Sequence, residues 1–474
     1  MSDRIDTDIC VIGAGSGGLS VAAAAAAFGV PVVLVERGLM GGDCLNYGCV
    51  PSKAFLAAGK RAHHMRNARQ FGIADVDPKV NFGRVNNHIR QVVAAIAPND
   101  SVERFTGLGV RVIQGEGRFT SRRTLSAGGK EIRARRFVIA TGSAPAVPPI
   151  KGISEVAYLT NETVFELRRR PTRLIVIGGG PIGMEIAQAF HRLGSDVIVL
   201  EAGTPLGRED PEAAITVLNE LRKEGIDIRT GVRIVRVENI QNGVRVVVKS
   251  DGGQESLEAS DLVVATGRRP NLDSLDLARA KVETSPRGVV VDAGLRTTNR
   301  RIYAIGDAAG GLQFTHMANY HAGLVIRNAV FRLPISVRTD HIPRVTFTDP
   351  ELAHVGIDEA SAREQGIGIR VLRWPYHEND RAQAERETEG FIKVITNRKG
   401  RVLGATIVGA HAGELINMWS LAVAERMKID AFTRFVSPYP TLAEIGKRAA
   451  ISYYTPSLRN PWLRRLIVFL RKFG

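Results

Sequence analysis

Residues 8–12, Asp-Ile-Cys-Val-Ile, form an apolar strand pattern that runs straight into Gly13-Ala14-Gly15-Ser16-Gly17-Gly18, an Ala-rich helix pattern to Phe28, and a second strand at 32–35 ending in Glu36. The same grammar returns at 174–177, Leu-Ile-Val-Ile, followed by Gly178-Gly179-Gly180-Pro181-Ile182-Gly183, a helix over 185–193, and a strand at 197–200 ending in Glu201. One glycine triplet alone would be weak evidence, but strand, turn, helix, strand and terminal acid in this order, twice, specify two dinucleotide-binding βαβ units. Gly13 permits the tight turn, Gly15 lets a pyrophosphate approach the helix N-terminus, Gly18 allows close helix packing, and Glu36 can accept hydrogen bonds from a ribose. Gly178, Gly180, Gly183 and Glu201 repeat these roles. A carboxylate at Glu201 suits a free 2′-hydroxyl and repels a 2′-phosphate, which favours NADH over NADPH, although Arg208 lies close enough in sequence to meet a phosphate.

Between the two units lies Gly41-Gly42-Asp43-Cys44-Leu45-Asn46-Tyr47-Gly48-Cys49-Val50-Pro51-Ser52-Lys53, with two of the chain's 3 cysteines in a glycine-rich turn entering a helix. Such a pair can cycle between dithiol and disulfide, and a thiol near a helix start gains from the positive end of the dipole. Pro51 suits the first turn. Two packed cysteines or half a zinc site are the competing readings. Zinc needs four ligands, and no second cysteine pair or His-rich cluster accompanies this one, so no metal site is assigned.

A chain of 474 residues, 44% hydrophobic and 24% charged with 49 glycines, is that of a multidomain α/β enzyme without long disordered regions. Three cysteines make no disulfide scaffold, and no cleavable signal precedes the first strand, so the expected compartment is the reducing cytoplasm. The apolar stretch 19–35 is broken by Gly29 and Pro31 and reads as helix plus strand rather than a membrane span. Two further buried-strand runs end in Ala140-Thr141-Gly142 and Ala265-Thr266-Gly267, and residues 301–305 form a strand that ends in Gly306-Asp307. After Asp340 strands alternate with amphipathic helices and no fingerprint recurs.

The formal charge is +16, and no acid follows Glu444, whereas Lys447, Arg448, Arg459, Arg464, Arg465, Arg471 and Lys472 do. They lie beside Trp462, Leu463, Leu466, Ile467, Leu470 and Phe473, whose spacing marks one helix face. Such a basic amphipathic tail could lie on the inner membrane surface or dock on this protein or its partner subunit. Nucleic-acid binding is not expected, because no recognition motif or interleaved aromatics accompany the charge.

Together these residues resemble the flavoprotein disulfide reductases, the family of glutathione reductase, dihydrolipoamide dehydrogenase and mercuric reductase, from Asp8 to about Glu444. The resemblance implies two Rossmann-like domains, for FAD and NAD, and an α+β C-terminal domain that forms a homodimer. The expected layout is 1–150 for the first part of the FAD domain, 151–271 for the NAD domain, 272–340 for the second FAD part, 341–455 for dimerisation and 456–474 for the tail. Gly13, Gly15, Gly18, Glu36 and Asp307 would then serve FAD, with Gly42, Thr141, Gly142, Gly267 and Gly306 also at cofactor-binding positions. Gly178, Gly180, Gly183 and Glu201 would serve NADH. Cys49 matches the flavin-side thiol, Cys44 the interchange thiol, and Lys53 with Glu185 the ion pair beside the flavin ring. The implied chemistry is a relay from NADH through FAD to the disulfide and on to a small-molecule acceptor.

Departures bear on that acceptor. The family's C-terminal acid/base histidine is replaced in Ser437-Pro438-Tyr439-Pro440-Thr441-Leu442-Ala443-Glu444, where Tyr439 can donate a hydrogen bond but is a poor base. Tyr439 with Glu444 is nearest to mercuric reductase, yet the chain has no cysteine after Cys49 to hand over Hg(II). Asp43 stands where relatives have threonine and would oppose a thiolate at Cys44 if turned inward. Pro181 replaces a tyrosine that gates the nicotinamide pocket. His316, His321 and His377 are expected to pack rather than catalyse. The leading expectation is an NADH- and FAD-dependent oxidoreductase acting on a small disulfide or thiol-reactive electrophile. Mercuric reductase-like activity, dihydrolipoamide dehydrogenase and a membrane-recruited redox partner are the alternatives.

Overall fold

The computed structural model describes residues 4–458 and 460–473, so Arg459 of the basic tail lies outside the described residues. The strand Arg4–Ile12 is the hub of a seven-stranded sheet, parallel to Val32–Glu36 on one side and to Lys130–Ile139 on the other. Val110–Gln114 extends the sheet beyond Val32–Glu36, and Ile302–Ala304 returns from far along the chain to pair in parallel with Lys130–Ile139. Strands covered on both faces need a continuous apolar run, and Ile9, Cys10, Val11 and Ile12 are all buried. The apolar stretch 19–35 forms the helix Ser16–Ala27 and the strand Val32–Glu36. No described helix is long and apolar enough to cross a membrane.

The second fingerprint builds a four-stranded parallel sheet from Asp227–Arg229, Asp196–Leu200, Arg173–Ile177 and Asp261–Val264, with an antiparallel three-stranded meander beside it. A five-stranded antiparallel sheet follows, ordered Arg344–Thr346, Glu351–Gly356, Val402–Gly409, Phe391–Asn397 and Ile369–Pro375. It is fastened to the second unit by Lys393, whose buried ammonium lies 2.9 Å from Asp210 and from Glu212.

Two helix crossings place the chemistry. The helix Cys49–Arg66 packs along Pro181–Arg192, with Phe55 edge-on to Phe190 at 4.7 Å between centroids. The backbones approach closely because position 59 is glycine: a Cβ there would sit 3.2 Å from Ala189 Cα. The start of the cysteine helix is thereby set against the start of the second fingerprint's helix. The helix Pro461–Leu470 makes no such contact; all its residues are exposed, so among the described residues the tail does not dock on its own chain.

Candidate active site

Cys44 sits in the short helix Gly42–Asn46 and Cys49 opens the helix Cys49–Arg66. Gly41 and Gly42, at φ +86° and +59°, make the turn that a side chain would obstruct. Cys44 and Cys49 are neighbouring free thiols, and the Thr315 hydroxyl lies 3.3 Å from Cys49 Sγ. The neighbouring Cys44 thiol, the Thr315 contact and the charge of Lys53 lower the Cys49 thiol to about 6 against partial desolvation, while the residue stays open to solvent. Cys44 moves the other way, raised by the adjacent Cys49 sulfur and by burial. The two thiols thus differ in acidity, with Cys49 the more readily ionised. Asp43 is drawn off toward Arg268, 3.1 Å away, and accepts from Asn161, so its charge is compensated and is the weakest contribution at both sulfurs.

Lys53 Nζ lies 2.8 Å from Glu185 Oε2 and 4.2 Å from the centroid of Phe347. Glu185, a residue that looks like a surface position in sequence, is buried, and its other oxygen accepts from the Phe347 N–H at 2.9 Å. The pair thus joins the cysteine helix, the second unit and the antiparallel sheet at one point. Beneath it a cavity of about 170 Å³ runs toward Lys60, Arg192 and Asp349.

Both fingerprints carry the same backbone device. Glu36 accepts from the N–H groups of Ala14 at 2.6 Å and Gly38 at 2.7 Å, and Glu201 accepts from Gly179 and Gly203, each at 2.7 Å. A Cβ at Gly18 or Gly183 would come 1.9 Å from the carbonyl oxygen of Gly13 or Gly178, so helix and strand meet without side-chain thickness. At Gly15 the nearest atom to a Cβ is Gly42 Cα at 4.0 Å, and at Gly180 there is none within 4 Å. That free space over a helix N-terminus is what a pyrophosphate needs. A cleft beside the first turn is lined by Gly13, Val35, Glu36, Thr141 and Asn271, and the buried Thr141 hydroxyl has no partner there. Asp307, lifted by burial, accepts from Ser143 at 2.5 Å, and Arg268 binds that same Ser143 hydroxyl at 2.7 Å. These residues fit FAD at the first unit and a nicotinamide nucleotide at the second.

Gly142 and Gly267 lie at φ +65° and +136°, bordering the strands Ser143–Pro145 and Arg268–Pro270, which pair with each other. Gly306 is at φ +57° and donates to Nδ1 of buried His321, which burial lowers to about 4 and keeps neutral. His316 bonds the Pro343 carbonyl, and His377 lies in a single 3₁₀ turn. Tyr439 is 71% exposed and donates to Asp380 at 2.8 Å, an interaction that raises its phenol. Glu444 opens the helix Glu444–Ser452. Among the described residues no hydrogen bond or ion pair links Tyr439 or Glu444 to the cysteines of the same chain. Thr315, Arg268 and Phe347 were not legible as site residues. The available hints were that Thr315 opens a helix eight residues after Asp307 and that Arg268 follows Ala-Thr-Gly directly.

The chain matches the pyridine nucleotide-disulphide oxidoreductase family over residues 7–322 and the dimerisation domain of that family over 342–450. It is 38% identical over 451 residues to a mercuric reductase of Bacillus cereus, covering 94% of this chain and 72% of that protein. It is 35% identical over 454 residues to a dihydrolipoyl dehydrogenase of Bacillus subtilis, covering 94% and 96%. Among solved structures, LpdA from Mycobacterium tuberculosis superposes with TM-score 0.88 at 26% identity, covering 94% of this chain and 99% of that one. The Cu(II) complex of the HOCl-induced flavoprotein disulfide reductase RclA from Escherichia coli superposes with TM-score 0.83 at 29% identity, covering 93% and 99%.

Proposed function

We propose that this chain, which belongs to the pyridine nucleotide-disulphide oxidoreductase family, passes electrons from NADH through the Cys44–Cys49 couple to a thiol-reactive electrophile or small disulfide. FAD, when held by Gly13, Gly15, Gly18, Glu36 and Asp307, supplies the hydride chemistry that side chains lack. Lys53, anchored by Glu185, sets a positive charge near the Cys49 sulfur. Thr315 and Cys44 stabilise Cys49 as the thiolate. With a disulfide acceptor, Cys44 attacks one sulfur as its proton passes to Cys49 or the departing thiolate. Cys49 then displaces the second sulfur, closing the Cys44–Cys49 bond as one thiol and one thiolate leave, the thiolate taking its proton from water. The carboxylate of Glu201 favours NADH over NADPH. A reducing cytoplasm suits a pair that must be reduced in every cycle.

The observation that carries the substrate class is Tyr439. Its phenol donates to Asp380 and is pushed further from the range in which it could serve as a base. Acceptors that need a base at this position are therefore disfavoured, and acceptors that take thiolates directly are favoured. The test is anaerobic reduction by NADH followed by a panel of Hg(II), lipoamide, glutathione disulfide and quinones. Fast turnover of an electrophile, lost in Cys44→Ser, with slow lipoamide and glutathione disulfide, is the expected result. Full turnover after replacement of both cysteines would overturn the reading.

Mercuric reductase-like activity is the second reading, favoured by the tyrosine and by the relatives so named. Soft thiolates bind Hg(II) strongly. The chain has no cysteine after Cys49, so efficient transfer to the inner pair in excess competing thiol would require another route. Release of Hg(0) in excess glutathione decides for this reading, and its absence decides against it.

A further inference from the structure

The helix Pro461–Leu470 is well formed, and among the described residues it meets only the short turn of helix just before it, where Arg464 Nε donates to the Leu458 carbonyl at 2.9 Å. Pro461 occupies its first turn, and the Asn460 side chain accepts from Trp462 N–H at 2.9 Å, so its start is capped. Its apolar side chains are nonetheless open to solvent, with Trp462 76%, Leu466 50%, Ile467 49% and Leu470 55% exposed. At about 100° per residue, Phe469, Trp462, Phe473, Leu466, Leu470, Leu463 and Ile467 fall in one arc of roughly 160°. Arg471, Arg464, Lys472 and Arg465 fall in the opposite arc, where Val468 is the one apolar member. Arg465 folds its guanidinium over the Trp462 ring at 5.5 Å, at the border of the two arcs.

We propose that this helix is a membrane-surface anchor that lies in the interface of an anionic phospholipid bilayer, apolar arc down and cations among the lipid phosphates. Ten residues span about 15 Å, half the hydrocarbon thickness of a bilayer, so the helix lies in the interface plane and does not cross it. Charge decides among occupants. The body of this chain outside residues 456–474 carries +11 and a second copy of the chain +16, and both repel the basic arc. A nucleic acid would neutralise the cations and leave seven apolar side chains in water. A bilayer bearing phosphatidylglycerol or a similar headgroup satisfies both arcs at once. The dimerisation domain gives each enzyme two such helices. The anchor would hold a redox enzyme at the membrane surface whichever acceptor it uses, so the inference stands apart from the substrate reading.

The test is flotation of the full-length holoenzyme with phosphatidylglycerol-containing vesicles and with phosphatidylcholine vesicles, while following tryptophan emission. Binding to the anionic vesicles alone, with a blue-shifted emission, is the expected result. Leu466→Glu/Ile467→Glu and Arg464→Glu/Arg465→Glu should each weaken binding by at least about tenfold. NADH-driven turnover in solution should stay unchanged in both, since the helix meets only the neighbouring 455–458 segment and none of the residues around the cysteines. Failure of the unaltered enzyme to float with anionic vesicles would overturn the proposal, as would equal flotation of both double variants. So would a change in dimer mass or solution stability in the variants, which would assign the helix to a protein contact.

Discussion

At Cys49 a threonine hydroxyl, a neighbouring thiol and a lysine charge converge on one sulfur, and together they outweigh the partial desolvation that would keep it protonated. The sign of the pH dependence follows. Below about pH 6 the thiol holds its proton and is unreactive, and above it the thiolate dominates. Alkylation of the NADH-reduced enzyme by iodoacetamide should therefore rise to half its plateau near pH 6, well below an ordinary cysteine. Thr315→Val removes one hydrogen bond to the anion and should move that midpoint upward by about one unit. An unmoved midpoint would show that Thr315 does not contribute. Tyr439 illustrates the opposite case, in which Asp380 takes up the phenol proton's hydrogen bond and leaves the side chain a donor only.

Among secondary-structure elements, the two glycine turns separate packing from binding. At Gly183 a Cβ would collide with a carbonyl oxygen, so Gly183→Ala should destabilise the second unit by about 2–3 kcal/mol and abolish reduction by NADH. At Gly180 a Cβ meets no protein atom within 4 Å. Gly180→Ala should therefore leave thermal stability within about 0.5 kcal/mol of the parent and raise KM for NADH by about tenfold or more. Melting curves and steady-state kinetics on both variants check this. The helices carrying Lys53 and Glu185 are held by the glycine at 59 and the Phe55–Phe190 contact, so the ion pair is a product of helix crossing and not of local sequence.

For the molecule as a unit, unneutralised positive charge and uncovered apolar surface have separate consequences. Arg122, Arg123, Arg133, Arg136 and Arg301 gather on the first sheet, and the four others together depress Arg301, with Arg123 the largest contributor. None of the five forms an ion pair with a carboxylate among the described residues. Arg123→Glu should stabilise the protein by up to about 1 kcal/mol at low salt, and the gain should fade at high salt because screening already relieves the repulsion. Equal effects at both salts would rule out charge as the cause. On the dimerisation domain, Val436 is 81% exposed and its chain neighbours Phe435 and Tyr439 are also exposed, a surface that a partner subunit would cover. Val436→Asp should shift the sedimentation profile toward monomer and impair acceptor turnover while leaving reduction by NADH intact.

The fold class and the two nucleotide units were readable in the chain because each is local: strand, glycine turn, helix and acid follow within about thirty residues, and their periodicity reports burial directly. The placing of Cys44 and Cys49 together in a glycine-rich turn at a helix start was readable for the same reason. Thr315, Arg268 and Phe347 were not, since each reaches the site from more than 200 residues beyond the cysteines and carries no pattern of its own. The burial of Glu185, the turning of Asp43 toward Arg268 and the full exposure of the tail helix became visible only in the tertiary structure. Local hydrogen bonding and hydrophobic period can be written in consecutive residues, whereas a site assembled across three units depends on which surfaces meet when those units pack.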